Sequence, residues 1–221
     1  MIETLILLSV ALIGYLFGSI PTAVIIGKVF FKKDVREYGS KNAGGSNAGR
    51  VLGRKVGVIV IALDMIKTII PLYLSYFIIK YTALNNYNVI EYVIPISGFS
   101  CLLGHCFPVF AEFKGGKAVS SYAAIILSTN WLLTIIGILI FFITLKIKKY
   151  VSLSSILCGL IIPIITFILV LSKSNFTMIV ADCSYLYAIL ILLSGIVLIV
   201  RHGTNIKRIL KNEENKISWL K

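Results

Sequence analysis

The sequence predicts an all-α integral membrane protein, a bundle of seven transmembrane helices in which some are short or re-entrant. Three observations carry that expectation. The 221 residues are 58% hydrophobic and only 14% charged, against about 25% charged in an ordinary soluble domain. The mean hydropathy is +0.95. The apolar residues fall in repeated long runs, as segments that cross a hydrocarbon core must. Together these exclude a secreted enzyme, a cytosolic globule and a disordered chain, and they point to one membrane domain over 1–221.

Taken in order, apolar runs place spans near 5–31, 57–79, 89–103, 118–130, 131–146, 151–171 and 180–200. The first is no cleavable signal: Glu3 precedes it, no Lys or Arg does, and it ends in Lys32-Lys33. The fourth and fifth could be one long helix. Thirty residues at 1.5 Å each reach ~45 Å, more than a ~30 Å core needs, and Ser128-Thr129-Asn130-Trp131 offers a break.

Charge settles the count. Lys and Arg number 22 against nine Asp and Glu, a net charge of +13. On a soluble chain this would suggest nucleic acid; on a membrane protein it is read as basic cytoplasmic loops, and no nucleic-acid partner is expected. With seven spans and the N-terminus outside, eighteen basic residues fall inside, in 32–56, 104–117, 146–150 and 201–221. Only Lys80 and Lys173 fall outside. Fusing the doubtful pair would give equal numbers on both sides, against the positive-inside bias. The expected localisation is a plasma membrane, multi-pass, with a cytoplasmic C-terminus.

Two of the inside loops carry unusual chemistry. The first runs Tyr38-Gly39-Ser40-Lys41-Asn42-Ala43-Gly44-Gly45-Ser46-Asn47-Ala48-Gly49-Arg50. Its glycines let the backbone approach a ligand and line up N–H groups as an anion nest. Ser40, Asn42, Ser46 and Asn47 add neutral hydrogen-bonding groups, and Arg50 a bidentate phosphate fork. The second runs from Gly104-His105 to Gly115-Gly116-Lys117, directly before an apolar helix. Amides at a helix start beside a lysine suit phosphate, although Ala118 after Lys117 rules out a Walker A loop.

Both histidines, His105 and His202, lie at inside ends of spans, and Asn205 shares a face with His202 if the tail is helical. Lys207, Arg208 and Lys211 suit anionic lipid. Asp64 and Lys67, three residues apart in the second span, read as a structural ion pair or as part of a proton or ion pathway. Cys101, Cys106, Cys158 and Cys183 form no CxxC pair and read as small buried hydrophobes. No residue grouping calls for a metal or a cofactor.

In this order the motifs resemble those of the bacterial acyl-phosphate:glycerol-3-phosphate acyltransferases, small integral membrane enzymes that make lysophosphatidic acid. Gly18-Ser19-Ile20-Pro21 begins the likeness. GSKNAGGSNAGR over 39–50 resembles the family's GSGNxGATNxxR, and Leu63-Asp64 with Lys67 resembles LDxxKG. Residues 104–117 resemble GHxFPVFxxFKGGKG, 150–156 a third motif, and Arg201-His202 with Asn205-Ile206 the terminal RHRENI. Departures are Lys41, Thr68 and Ala118, each where the family has glycine, Gly45-Ser46 for Ala-Thr, and Gly203-Thr204 for Arg-Glu.

The resemblance implies that Ser40, Arg50 and Lys117 hold the phosphate of glycerol 3-phosphate, with Asn42, Ser46, Asn47, His105, His202 and Asn205 around it. It further implies Ser40, His105, Lys117 and Asn205 as catalytic residues, acyl phosphate as donor, and membrane lipids as surroundings. Two other classes of function stay open on the residues alone. One is a small transporter built on the Asp64–Lys67 pair, against which no internal repeat is seen. The other is a non-catalytic lipid-binding paralogue. Oligomeric state is not legible.

Overall fold

The structure is a computed structural model that describes residues 1–173, 179 and 184–217. Cys183, Lys221 and the start of the expected seventh span at 180 lie outside the described residues. Among the described residues there are ten α-helices: α1 (Ile2–Gly18), α2 (Thr22–Phe31), α3 (Gly45–Leu52), α4 (Arg54–Lys80), α5 (Ile90–Cys106), α6 (Val119–Thr129), α7 (Trp131–Lys148), α8 (Val151–Leu171), α9 (Tyr185–Arg201) and α10 (Gly203–Leu210). Short 3₁₀ turns occupy Ala83–Tyr87 and Val109–Ala111. The chain divides into two compact units, Met1–Ile125 and Ile126–Lys221.

The protein is an all-helical membrane protein, and the seven-span count is approximate. Among the described residues five segments are long and apolar enough to cross: Ile2–Phe31, Arg54–Lys80, Ile90–Ala111, Trp131–Lys148 and Val151–Leu171. A sixth forms if α9 and α10, bent by 57°, count together. The remaining candidate, α6, has 11 residues, roughly 16 Å of helix at 1.5 Å per residue, about half a hydrocarbon core.

Local chemistry explains the breaks. The first apolar run is two helices, because Pro21 cannot donate to the helix ladder; its backbone (φ −86, ψ 71) starts α2 afresh. The break between α6 and α7 falls at Asn130, within the Ser128–Trp131 stretch where the sequence allowed one. Asn130 is extended (φ −147, ψ 111), and its Oδ1 accepts the Leu133 N–H at 2.9 Å, an N-cap for α7.

In the first unit, α1 lies backbone to backbone on α5. A Cβ on Gly14 would meet the Ser97 carbonyl oxygen at 2.5 Å, one on Gly18 the Cys101 oxygen at 2.0 Å, and one on Gly104 the Tyr15 oxygen at 2.2 Å. Small residues are what lets helices approach this closely in lipid. In the second unit α8 and α9 meet the same way: a Cβ on Gly195 would stand 2.3 Å from the Gly159 oxygen. Cys101 and Cys106 are buried and Cys158 half-buried, and none of the three is in a disulfide.

Candidate active site

The first glycine-rich segment is only partly a loop. Residues 45–52 form α3 despite two glycines, which are poor helix formers. Packing overrides propensity: a Cβ on Gly57 of α4 would lie 2.6 Å from Gly49 Cα, and one on Gly45 would lie 2.4 Å from Ile61 Cγ1. These glycines therefore serve helix contact, not an anion nest. Positive φ among the glycines is confined, within the described residues, to Gly39 (61°) and Gly53 (106°).

Asn47 organises what precedes α3. It is 1% exposed. Its Nδ2 donates to the carbonyls of Val35 (2.7 Å), Asn42 (3.0 Å) and Tyr38 (3.1 Å), and its Oδ1 accepts the Ser40 N–H at 2.8 Å. A side chain at Gly39 would collide with that Oδ1, at 2.4 Å. Ser40 is held through its backbone with its side chain half-buried, while Ser46 and Arg50, one helical turn apart, are exposed. Asn42 Oδ1 is buried without a hydrogen-bond partner.

A charged clasp fixes the start of this loop. Arg36 donates from Nε to Asp34 Oδ1 (3.0 Å) and from Nη2 to Oδ2 (2.7 Å), a bidentate pair. Lys28 Nζ stands 3.2 Å from the same Oδ2. The Arg36 hydrogen bonds outweigh the opposing effect of burial and hold the Asp34 carboxyl far below the usual carboxylate range. The same Arg36 donates from Nη1 to the Ala111 carbonyl at 3.1 Å, which ties the first loop to the second.

In the second loop, Gly115 and Gly116 are buried against His105, on the last turn of α5. A Cβ on Gly115 would stand 2.2 Å from the His105 carbonyl oxygen, and one on Gly116 2.0 Å from its Nε2. The Gly116 N–H donates to the His105 carbonyl at 2.9 Å. His105 Nδ1 lies 3.7 Å from Asp64 Oδ1, which is also paired with Lys67 Nζ at 2.9 Å. The ion pair within α4 is present, as its spacing suggested. The third member, His105, lies 41 positions further along the chain, and nothing in the sequence linked the two. Lys117 follows, half-buried.

In the second unit, His202 ends α9 and precedes α10. Its Nδ1 is 2.8 Å from the Leu198 carbonyl. Asn205, on α10, donates from Nδ2 to Glu214 Oε1 at 2.8 Å. Both residues are buried. Glu214 is the residue that sequence reasoning missed: it also accepts from Ser152 (3.1 Å) and Arg208 (2.8 Å). Burial alone would raise its carboxyl, but the Arg208 and Asn205 hydrogen bonds leave it below the ordinary glutamate range. An acid in a basic tail, next to a second acid at Glu213, was the available signal.

Among the described residues no three His, Cys, Asp or Glu side chains cluster as metal ligands would. What the first unit offers is a set of cations, hydroxyls and amides on two linked loops, suited to an anion.

Comparison with known proteins decides the family. The family model for glycerol-3-phosphate acyltransferase matches residues 8–212. The chain belongs to the glycerol-3-phosphate acyltransferase family. The glycerol-3-phosphate acyltransferase of Staphylococcus aureus (strain Newman) is 39% identical over 209 residues, covering 95% of this chain and 96% of that one. That of Listeria monocytogenes (serovar 1/2a, strain EGD-e) is 37% identical over 217 residues, covering 98% and 100%. The crystal structure of PlsY (YgiH), an integral membrane glycerol 3-phosphate acyltransferase, in its glycerol 3-phosphate form, superposes with a TM-score of 0.80 at 28% identity, over 96% of each chain. Its lysophosphatidic acid form gives 0.77, covering 96% of this chain and 95% of that one. The protein is accordingly a multi-pass membrane acyltransferase.

Membership in the glycerol-3-phosphate acyltransferase family gives the departures a physical meaning. Lys41 and Ala118, both at motif glycines, have left-handed backbones, φ 56° and 68°. The fold keeps the glycine conformation after losing the glycine. Thr68 is different: it sits within α4, where its Oγ1 donates to the Asp64 carbonyl (2.9 Å) and lies 3.2 Å from the Ser121 hydroxyl. Gly203 has open space where a Cβ would point.

Proposed function

We propose that the protein transfers a fatty acyl group from acyl phosphate to glycerol 3-phosphate, giving lysophosphatidic acid and inorganic phosphate. A glycerol hydroxyl oxygen attacks the acyl carbon, the bond to the phosphate oxygen breaks, and the hydroxyl proton leaves with the phosphate or passes through His105. The observation that carries this reading is the Arg36–Ala111 link, which ties two phosphate-suited loops into one unit. Similarity to the PlsY structure in its glycerol 3-phosphate form supports the acceptor.

In this reading Ser40, Arg50 and Lys117 hold phosphate oxygens, with Ser46 on the exposed face of α3 beside Arg50, and Asn42 Oδ1 accepts from a glycerol hydroxyl. Asn47 acts by holding the loop. For His202 and Asn205, which belong to the second unit, a substrate-contact role rests on the resemblance of the terminal motif alone. Positioning and charge stabilisation do most of the work. An acyl phosphate is a mixed anhydride with a good leaving group, and it needs less activation than a thioester.

Purified protein given each donor separately tests the donor. Acyl phosphate supports formation of lysophosphatidic acid with an equal release of phosphate, and acyl-CoA supports little. Robust turnover with acyl-CoA alone would overturn the donor assignment. No turnover with either would overturn the acyl-phosphate reading. The basic loops support a cytoplasmic site with the N-terminus outside; cysteine labelling at Glu3 and Ser46 from opposite sides checks it.

A further inference from the structure

Asp64 has no part in the chemistry above, yet its setting is unusual. It is 2% exposed, within α4. Oδ1 is paired with Lys67 Nζ, which also donates to the Ile20 carbonyl at 2.6 Å, at the break between α1 and α2. Oδ2 is buried with no hydrogen-bond partner. Buried carboxylate oxygens are normally satisfied, and an exception asks for a reason.

The other oxygen of the same carboxylate has a second neighbour, on α5. His105 turns Nδ1 to this carboxylate, 3.7 Å from Oδ1, and turns Nε2 to Gly116, where a Cβ would stand 2.0 Å away. Neutral imidazole has two tautomers. With the proton on Nδ1, an N–H dipole points at the carboxylate. With the proton on Nε2, a lone pair faces the carboxylate and is repelled. With Nδ1 protonated, the second nitrogen faces Gly116 as a lone pair, able to accept a hydrogen bond from a donor brought to that segment.

We propose that Asp64 is a positioning residue for acyl transfer: it fixes His105 as the Nδ1-protonated tautomer and presents the Nε2 lone pair to the segment that carries Lys117. The assignment rests on the acyltransferase reading above, with Lys117 on substrate phosphate. Asp64 touches no substrate. It acts through the imidazole, in the way a carboxylate orients a histidine in other enzymes, and here the carboxylate comes from a different helix.

The chain has two histidines, which makes nitrogen NMR of ¹⁵N-histidine-labelled protein in lipid nanodiscs a direct test. A His105→Asn variant identifies the His105 signals by their loss. The wild type shows the Nδ1-protonated pattern at neutral pH. Asp64→Leu with Lys67→Met removes both charges together, a swap that buried pairs often tolerate. In that variant the pattern moves toward the Nε2-protonated form, and kcat/KM for glycerol 3-phosphate falls at least tenfold while the thermal midpoint holds. Asp64→Glu retains the wild-type tautomer. A wild-type His105 that is Nε2-protonated or doubly protonated would overturn the proposal, as would a double variant with unchanged tautomer or unchanged kcat/KM. Should the double variant fail to fold, the wild-type spectrum decides. Should the wild type lack acyl-phosphate activity, the function fails while the spectrum still tests Asp64.

Discussion

Arg36 joins two loops that lie 75 residues apart: its guanidinium grips Asp34 and donates to the Ala111 carbonyl. Asp34→Asn therefore loosens both loops, costing about 1–3 kcal/mol for a lost charged hydrogen-bonding partner. Because the folded carboxyl titrates below its unfolded value, its stabilisation is complete above the ordinary aspartate range. It is lost as pH falls through that range toward the lower folded value. Thermal unfolding of wild type and Asp34→Asn in detergent should converge on acidification. A gap that widens toward acid would refute the clasp.

Arg50→Ala and Lys117→Ala should each lose most activity. A charged contact to a desolvated phosphate is worth about 2–5 kcal/mol. Arg50→Lys should not restore the wild-type rate, since an ammonium cannot replace a planar fork. Steady-state kinetics with glycerol 3-phosphate read the effect, and near-normal kcat/KM in both alanine variants would remove these residues from the site.

Much of this was legible beforehand, for physical reasons. The α6–α7 break showed because Ser128, Thr129 and Asn130 interrupt an apolar run, whereas the first glycine-rich segment was read for its alternating glycine, serine and asparagine and two of those glycines prove to serve helix packing. Helix α3 was hidden, since Gly45 and Gly49 argue against helix until Gly57 is seen packed on them. Contacts such as Asp64–His105 and Asn205–Glu214 depend on tertiary approach, and no spacing rule reaches them.

Gly115→Ala and Gly116→Ala should both be damaging, by about 1–3 kcal/mol of overpacking. Gly115 is the worse of the two, because its Cβ would meet the His105 and Cys106 carbonyls as well as the Pro108 ring, while that of Gly116 would meet the His105 side chain. Gly203→Ala should be neutral or stabilising by up to about 1 kcal/mol, since it replaces a helical glycine with nothing in the way. Unfolding midpoints of the three variants give the order, and an equal loss in all three would contradict the packing.

Ala118→Gly and Lys41→Gly should each stabilise the protein, or at worst leave it unchanged. Removing a left-handed non-glycine relieves about 1–2 kcal/mol, offset in part by the entropy of the freer chain. The same thermal assay measures it, and a marked drop in midpoint would show that the strained backbone is not where φ places it.

Glu214→Gln should unsettle the end of the second unit, because one carboxylate holds Ser152, Asn205 and Arg208 at once. Loss of a buried charged partner costs about 3–5 kcal/mol. Proteolysis after Arg208 or Lys211 should accelerate in the variant, and an unchanged cleavage rate would count against the knot.

The glycine contacts between α1 and α5 also set a timetable for biogenesis. The Gly14–Gly18 face of α1 fits no side chain, only the backbone of a helix that begins at Ile90. Translation at roughly 5–20 residues per second leaves the first helix in the bilayer for several seconds before that partner emerges. Through that interval the notch in α1 is filled by lipid methylenes, and the arriving α5 must displace them.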